Sequence, residues 1–186
     1  MDCYLDIELR ADPEFPPSLL MSALFGKFHR RLVEYGAGRI GVSFPDVGTG
    51  IALGERLRLH GSQADLQMLM NDNWLMGMRD HTVLGSISPV PVDARQRLVR
   101  RVQAKSSPER LRRRLIVRKG ISEHDALLAI PDHAAEKLSL PYVVLKSRST
   151  GQQFRLFVEH CPPQDKKVVG LFNTYGLSPS ATVPWF

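Results

Sequence analysis

RVQAKSSPERLRRRLIVRKG, residues 101–120, carries six arginines and two lysines against one glutamate, a net charge of +7 in a chain whose total is +6. The rest of the sequence therefore sums to about −1. Charge this localised marks a site, because basic residues serving only solubility are spread. Ser107-Pro108-Glu109 opens a helix, with a hydroxyl to cap free N–H groups, a proline at the first helical position and an acid against the positive dipole end. Gly120 ends it. At helical spacing Leu111 and Leu115 fall together and are expected to dock on a core, while Arg110, Arg113, Arg114 and Arg118 fan over about 140° of the other side. A merely solvated helix would mix signs for i,i+4 pairing, and this one has no acid after Glu109. The pattern points to a polyanion, nucleic acid above all. The apolar edge is too small to insert in a membrane surface.

Outward from this stretch the chain reads as an ordinary globular protein of 186 residues, 43% hydrophobic and 24% charged. No apolar run reaches the length of a membrane span, and the N-terminus begins acidic and alternating, unlike a signal peptide. Cys3 and Cys161 are the only cysteines, so neither a disulfide framework nor a zinc cluster is available and a reducing cytoplasm is the expected location.

Cys3, Leu5, Ile7 and Leu9 alternate with polar residues, a strand with one buried face. Asp6 and Glu8 share the other face and are expected to be solvated rather than metal ligands. Ser18 is expected to cap a helix running to Tyr35 and ended by Gly36, with Leu20, Met21, Leu24, Phe25, Phe28 and Leu32 as its core stripe. His29 lies at the stripe's edge. Residues 40–44 and 56–60 are two further strands, Ser62 begins a helix through Met70 in a capping-box pattern, and residues 83–92 read as a strand broken by Pro89 and Pro91. Strand, helix, strand, strand, helix, strand is the ferredoxin-like unit, which names no function by itself. The fold class is thus α+β: a ferredoxin-like domain over residues 1–93, then a distinct α+β domain over 94–186 that carries the arginine helix. In the latter, strands are expected at 97–105, 142–147, 154–160 and 168–175, with a helix opened by Ser122 and ended by Pro131.

Six histidines show no H-x-H, H-E-x-x-H or Cys-His spacing, and no Walker-type or G-x-G-x-x-G loop is present. Metal centres, kinases and nucleotide-driven helicases are disfavoured. RNA, however, carries its own nucleophile in the ribose 2′-hydroxyl. One imidazole to take its proton, a hydroxyl to hold it and arginines to steady the charge suffice for cleavage to a 2′,3′-cyclic phosphate without metal. Spacing alone leaves open which groups meet.

Several long words, DPEFPP at 12–17, LFGK followed by His29, RIGVSFPD at 39–46, RVQAKS at 101–106, PERLRRRL at 108–115, YGLS at 175–178 and VPWF at 183–186, resemble the type I-F (subtype Ypest) CRISPR repeat-processing endoribonuclease of the CRISPR-associated RAMP class. The resemblance implies a ferredoxin-like N-terminal domain and an arginine helix that enters the major groove of the CRISPR repeat hairpin. It further implies metal-independent cutting at the 3′ base of the stem, no cofactor, and retention of the product in a surveillance complex with other type I-F subunits, by a protein monomeric when free. Carried over by position, His29 matches the catalytic histidine, Ser147 the hydroxyl that constrains the attacking ribose and Tyr175 the tyrosine that orients the histidine. Arg101 and Gln103 match a base-reading pair whose i,i+2 spacing suits one strand face. Phe154 matches the aromatic beneath the last base pair. Ser149, Arg110, Arg113, Arg114 and Arg118 belong with the RNA contacts. A non-catalytic hairpin-binding assembly subunit is the alternative; it would keep the helix and Phe154 but need neither His29 nor Ser147.

Overall fold

A computed structural model describes residues 1–35, 38–103, 108–132, 138–148 and 150–186. The chain divides into two compact units: residues 1–102 with 140–186, and residues 103–139.

The first unit is mixed α/β with two antiparallel sheets. β1 (Cys3–Leu9), β2 (Gly41–Ser43), β3 (Arg56–Gly61), β4 (Thr82–Leu84) and β5 (Ser88–Pro89) form one, in the order β2-β3-β1-β4 with β5 also on β1. The register is anchored by Leu5 opposite Leu59 and Ile7 opposite Leu57. All four are buried, so a one-residue slip would turn the whole apolar set to the wrong face. The single strand expected at 83–92 is instead two short ones that meet different parts of β1; Gly85, between them, still donates its amide to Asp6 O at 2.9 Å. The second sheet orders β7 (Tyr142–Lys146), β8 (Gln153–His160), β6 (Arg95–Val102) and β9 (Thr182–Trp185).

α1 (Pro17–Tyr35) presents the expected stripe, and Phe25, Phe28 and Leu24 are fully buried, each contributing about 1.5–3 kcal/mol of apolar transfer. Ser18 is not its cap. Pro16 O accepts from Leu19 N and Leu20 N, which puts Pro17 at the first helical position, where a missing N–H costs nothing. Ser62 does cap α2 (Gln63–Met70), accepting from Asp65 N at 3.1 Å. Gly36 lies outside the described residues.

Asp6 is neither solvated nor metal-like. It grips Arg58 through both carboxylate oxygens, at 2.7 and 2.8 Å, and Arg58, itself buried, is covered by the rings of Tyr4 and Phe186. The strand expected at 168–175 is an irregular segment. Thr182 ties it down from β9, accepting from Val168 N at Oγ1 (3.0 Å) and donating its own N–H to Val168 O (3.0 Å), and the ladder beside β6 is taken by 182–185. Two histidines of this unit have buried ring nitrogens. His60 is fully buried, bonded by Nε2 to Ser43 Oγ at 2.8 Å, and burial, helped by the Arg58 charge, pushes it down to about 3. His160, edge-on to Phe44 and Trp185, is pushed down to about 4 by burial and then by Arg97.

The second unit is a helical pair, α3 (Pro108–Lys119) and α4 (Glu123–Ala129). Gly120 closes α3 at φ 65° with its amide on Ile116 O, a left-handed position that suits glycine. Ser122 caps α4 through Asp125 N. Leu111 and Leu115 do not sink into a core: no residue of α3 is buried, Leu111 is exposed and Leu115 half-buried. The pair is held instead by Arg112, which donates to Ile130 O (3.0 Å) and Asp132 Oδ1 (2.7 Å).

Candidate active site

His29 is carried on α1 one residue past buried Phe28, which leaves it half-buried at the edge of the stripe. Its Nδ1 lies 2.8 Å from Thr174 O. A carbonyl only accepts, so Nδ1 carries the proton and a neutral imidazole keeps Nε2 as a bare acceptor. Tyr175 lies flat on the ring, centroids 4.1 Å apart and planes within 15°, and itself lies parallel to Phe25.

The turn that delivers both partners is built by Asn173. Its Oδ1 accepts from Tyr175 N (2.8 Å) and Leu177 N (3.2 Å), while its backbone pairs with Leu177 and Gly176. Gly176 sits at φ 69°, and a Cβ there would stand 2.8 Å from Val42 Cγ1, so glycine is required for both conformation and space. An Asn-x-x-Gly run is a turn signal with this mechanism. The sequence reading missed it by assigning residues 168–175 to a strand, and with it Asn173 and Thr174 as supports of the histidine.

Ser147 follows β7 at the mouth of the β7–β8 hairpin. Ser147 N donates to Gln152 O and Ser147 O accepts from Gly151 N, both at 2.9 Å, and Thr150 N points at Ser147 Oγ at 3.3 Å. His29, Ser147, Tyr175 and Phe154 line one cleft of about 480 Å³ in the first unit. Phe154 is half-buried, with one side against the core. Arg101, on β6, holds its guanidinium 5.4 Å from the Tyr175 ring centre, and its buried Nε has no hydrogen-bond partner among the described residues.

The structure does not place Gln103 with Arg101 on one strand face. β6 ends at Val102, and Gln103, exposed, begins the second unit. Of the helix residues, Arg110, Arg113, Arg114 and Arg118 are exposed along α3. Arg112 is consumed by the α4 terminus, as described. Ser149 and Ser107 lie outside the described residues.

The first unit thus sets a tautomerically fixed histidine in a hydroxyl- and aromatic-lined cleft, and the second is a helical pair whose α3 carries exposed arginines. The family model for CRISPR-associated protein (Cas_Csy4) matches residues 4–186. The chain is 56% identical over 187 residues to the CRISPR-associated endonuclease Cas6/Csy4 of Pseudomonas aeruginosa (strain UCBPP-PA14), covering all of both chains. It is 44% identical over 186 residues, again all of both chains, to the CRISPR-associated endonuclease Cas6/Csy4 of Escherichia coli (strain UTI89 / UPEC). The chain belongs to the Cas_Csy4 family of CRISPR-associated proteins. No helix among the described residues is long and apolar enough to cross a membrane.

Proposed function

We propose that the protein is a metal-independent endoribonuclease that binds the stem-loop of CRISPR repeat RNA and cuts at the 3′ base of the stem. It then remains on its product within the type I-F surveillance complex. The observation that carries this reading is the tethered imidazole: Nδ1 fixed by Thr174 O, one face covered by Tyr175, and Ser147 in the same cleft.

In the proposed reaction Nε2 of His29 takes the proton of the ribose 2′-hydroxyl, which Ser147 holds in line with phosphorus. The 2′-oxygen forms its bond to phosphorus, the bond to the 5′-oxygen breaks, and that oxygen is protonated from solvent. A 2′,3′-cyclic phosphate remains. General-base assistance of this kind contributes about 10²–10⁴-fold, and alignment of the nucleophile adds to it. The base and the hydroxyl are side chains and the acid is water, which supports chemistry without metal or cofactor.

Arg110, Arg113, Arg114 and Arg118 are assigned to hairpin phosphates, their exposure and charge supporting that role. Phe154 is assigned to stacking beneath the terminal pair. Arg101 and Gln103 are assigned to reading bases beside the cut, which the place of the Arg101 guanidinium against the Tyr175 ring supports; Ser149 is assigned to RNA contact. We also propose that residues 1–93 form the ferredoxin-like domain and 94–186 the RNA-hairpin domain. The order β2-β3-β1-β4, all antiparallel, with α1 and α2 in the connections supports the first assignment. The second sheet, built only from strands after residue 94, supports the other. Cys3 and Cys161 are both free thiols, in keeping with a cytoplasmic monomer.

The test is a labelled repeat hairpin incubated with the protein in EDTA. Cutting is expected to persist in the chelator and to vanish in His29→Ala with binding retained. Hairpin binding without any cutting by the wild type would favour the assembly-subunit alternative.

A further inference from the structure

The cationic face of α3 is not uniform. At helical spacing Val117 falls inside the arc of its arginines, with Arg113 about 40° to one side and Arg114 and Arg118 about 60° and 100° to the other. Arg110 stands nearly on the same line, two turns toward the N-terminus. The valine side chain is 83% exposed. It lies about 140° round the helix from Arg112, the side chain that reaches the end of α4, so it faces away from the rest of its unit. Val117 borders one open concavity on the helix surface together with Arg110, Arg113, Arg114 and Arg118.

A lone exposed apolar residue needs no explanation on an ordinary surface. Two observations set this one apart. The other apolar residues of α3 are more covered, Leu115 and Ile116 half-buried and Leu111 37% exposed, so the valine does not continue a packed stripe. A β-branched side chain is also a poor choice at a solvated helix position, where long straight polar chains keep more rotamer freedom. A face that meets a groove has a different requirement at its centre than at its flanks. Long guanidinium chains on the flanks reach the two phosphate backbones that wall the groove, whereas the residue between them points at the floor, where base edges lie.

We infer that Val117 is a specificity-determining residue for the RNA stem, seated against the C5–H and C6–H edge of a pyrimidine in the major groove. The inference rests on the proposed binding of the hairpin by α3. The major groove of continuous A-form duplex is too narrow to be read, but it opens near the end of a stem, where one wall runs out, so the contact falls on one or two pairs there. A pyrimidine presents apolar C–H where a purine presents its N7 acceptor. Against the isopropyl group of valine that acceptor loses its water and gains no donor, whereas the pyrimidine edge loses nothing. Phosphate contacts from the arginines position the helix without reading sequence, and the valine supplies discrimination that they lack.

The experiment measures binding to repeat hairpins that carry a 2′-deoxy sugar at the cut, so that cleavage does not intervene. Single pyrimidines of the stem are replaced in turn by their 5-methyl forms. At one or two of them wild type is expected to bind about fourfold more tightly, the effect of one buried carbon, and Val117→Ala is expected to lose that gain. Inverting the base pair at the same position puts the purine under the helix and keeps the stem paired; it is expected to weaken wild-type binding about fivefold. Val117→Thr, equal in shape but with a hydroxyl to donate to N7, is expected to recover most of that loss. No response to methylation anywhere in the stem overturns the inference, as does a response that Val117→Ala leaves intact. Arg114→Ala on the unmodified hairpin separates the two readings. Weaker binding with a flatter salt slope, beside an unresponsive methyl series, removes the valine contact alone, whereas binding that neither variant changes takes the helix off the RNA and the inference with it.

Discussion

The imidazole of His29 and the phenol ring of Tyr175 lie face to face, 4.1 Å between centroids and 15° between planes. The contact is made by ring faces, and no hydrogen bond joins the phenol oxygen to the histidine among the described residues. Tyr175→Phe, which keeps the face, is therefore expected to cut within a few-fold of wild type. Tyr175→Leu, which forfeits about 0.5–1.5 kcal/mol of ring pairing, is expected to slow single-turnover cleavage up to about tenfold, with hairpin affinity unchanged.

Removal of the imidazole itself is a harsher change. His29→Ala is expected to lower the single-turnover rate by at least about 10²-fold while hairpin affinity holds. Loss of rate and affinity together would assign the residue to the fold.

Asn173 builds the turn that carries the carbonyl tethering the histidine. Asn173→Ala orphans the amides of Tyr175 and Leu177, at a cost of about 1–3 kcal/mol. The expected outcome is a lower denaturation midpoint together with a slower cut, and Asn173→Asp, which keeps the acceptor oxygen, is expected to recover most of both.

The second sheet and the arginine helix show what was legible in the sequence. Charge density alone located α3, and the Ser62, Ser122 and Gly120 signals bounded their helices correctly because capping chemistry is local. The core stripe of α1 was readable for the same reason. Three features were not. Arg112 counts as one more positive charge in the sequence but is spent on Ile130 O and Asp132. The 168–175 segment has strand composition but is bound through Thr182 and the Asn173 turn, a tertiary outcome that period and propensity do not register. The cations lining the His29 cleft, Lys27, Arg30, Lys146 and Arg148, were not read as a group because the two pairs are distant in sequence. Ser147 and Tyr175 entered through family resemblance, since nothing in their local pattern ties them to His29.

Acid stability follows from His60 and His160, whose ring nitrogens are buried. Each is neutral when folded and binds a proton more readily when unfolded, so unfolding takes up protons below about pH 6.5. The stability their burial permits is complete above that pH and is lost as pH falls toward about 4 for His160 and about 3 for His60, at about 1.4 kcal/mol per pH unit for each. Denaturant midpoints between pH 6.5 and 5, above the carboxylate range, should show this slope, and His160→Leu should remove about half of it.

The arginine helix is tested by ionic strength. Arg114→Ala is expected to weaken hairpin binding and to flatten the log–log salt dependence by about 0.7–0.9. An unchanged slope would rule out a phosphate contact at that position.

The carbonyl that fixes the His29 tautomer belongs to Thr174, 145 positions further along the chain. A ribosome therefore has to synthesise past residue 174 before the imidazole acquires its tether, whatever the N-terminal elements have folded by then. On the proposed role of His29, cutting depends on a contact that only the late-synthesised part of the chain supplies.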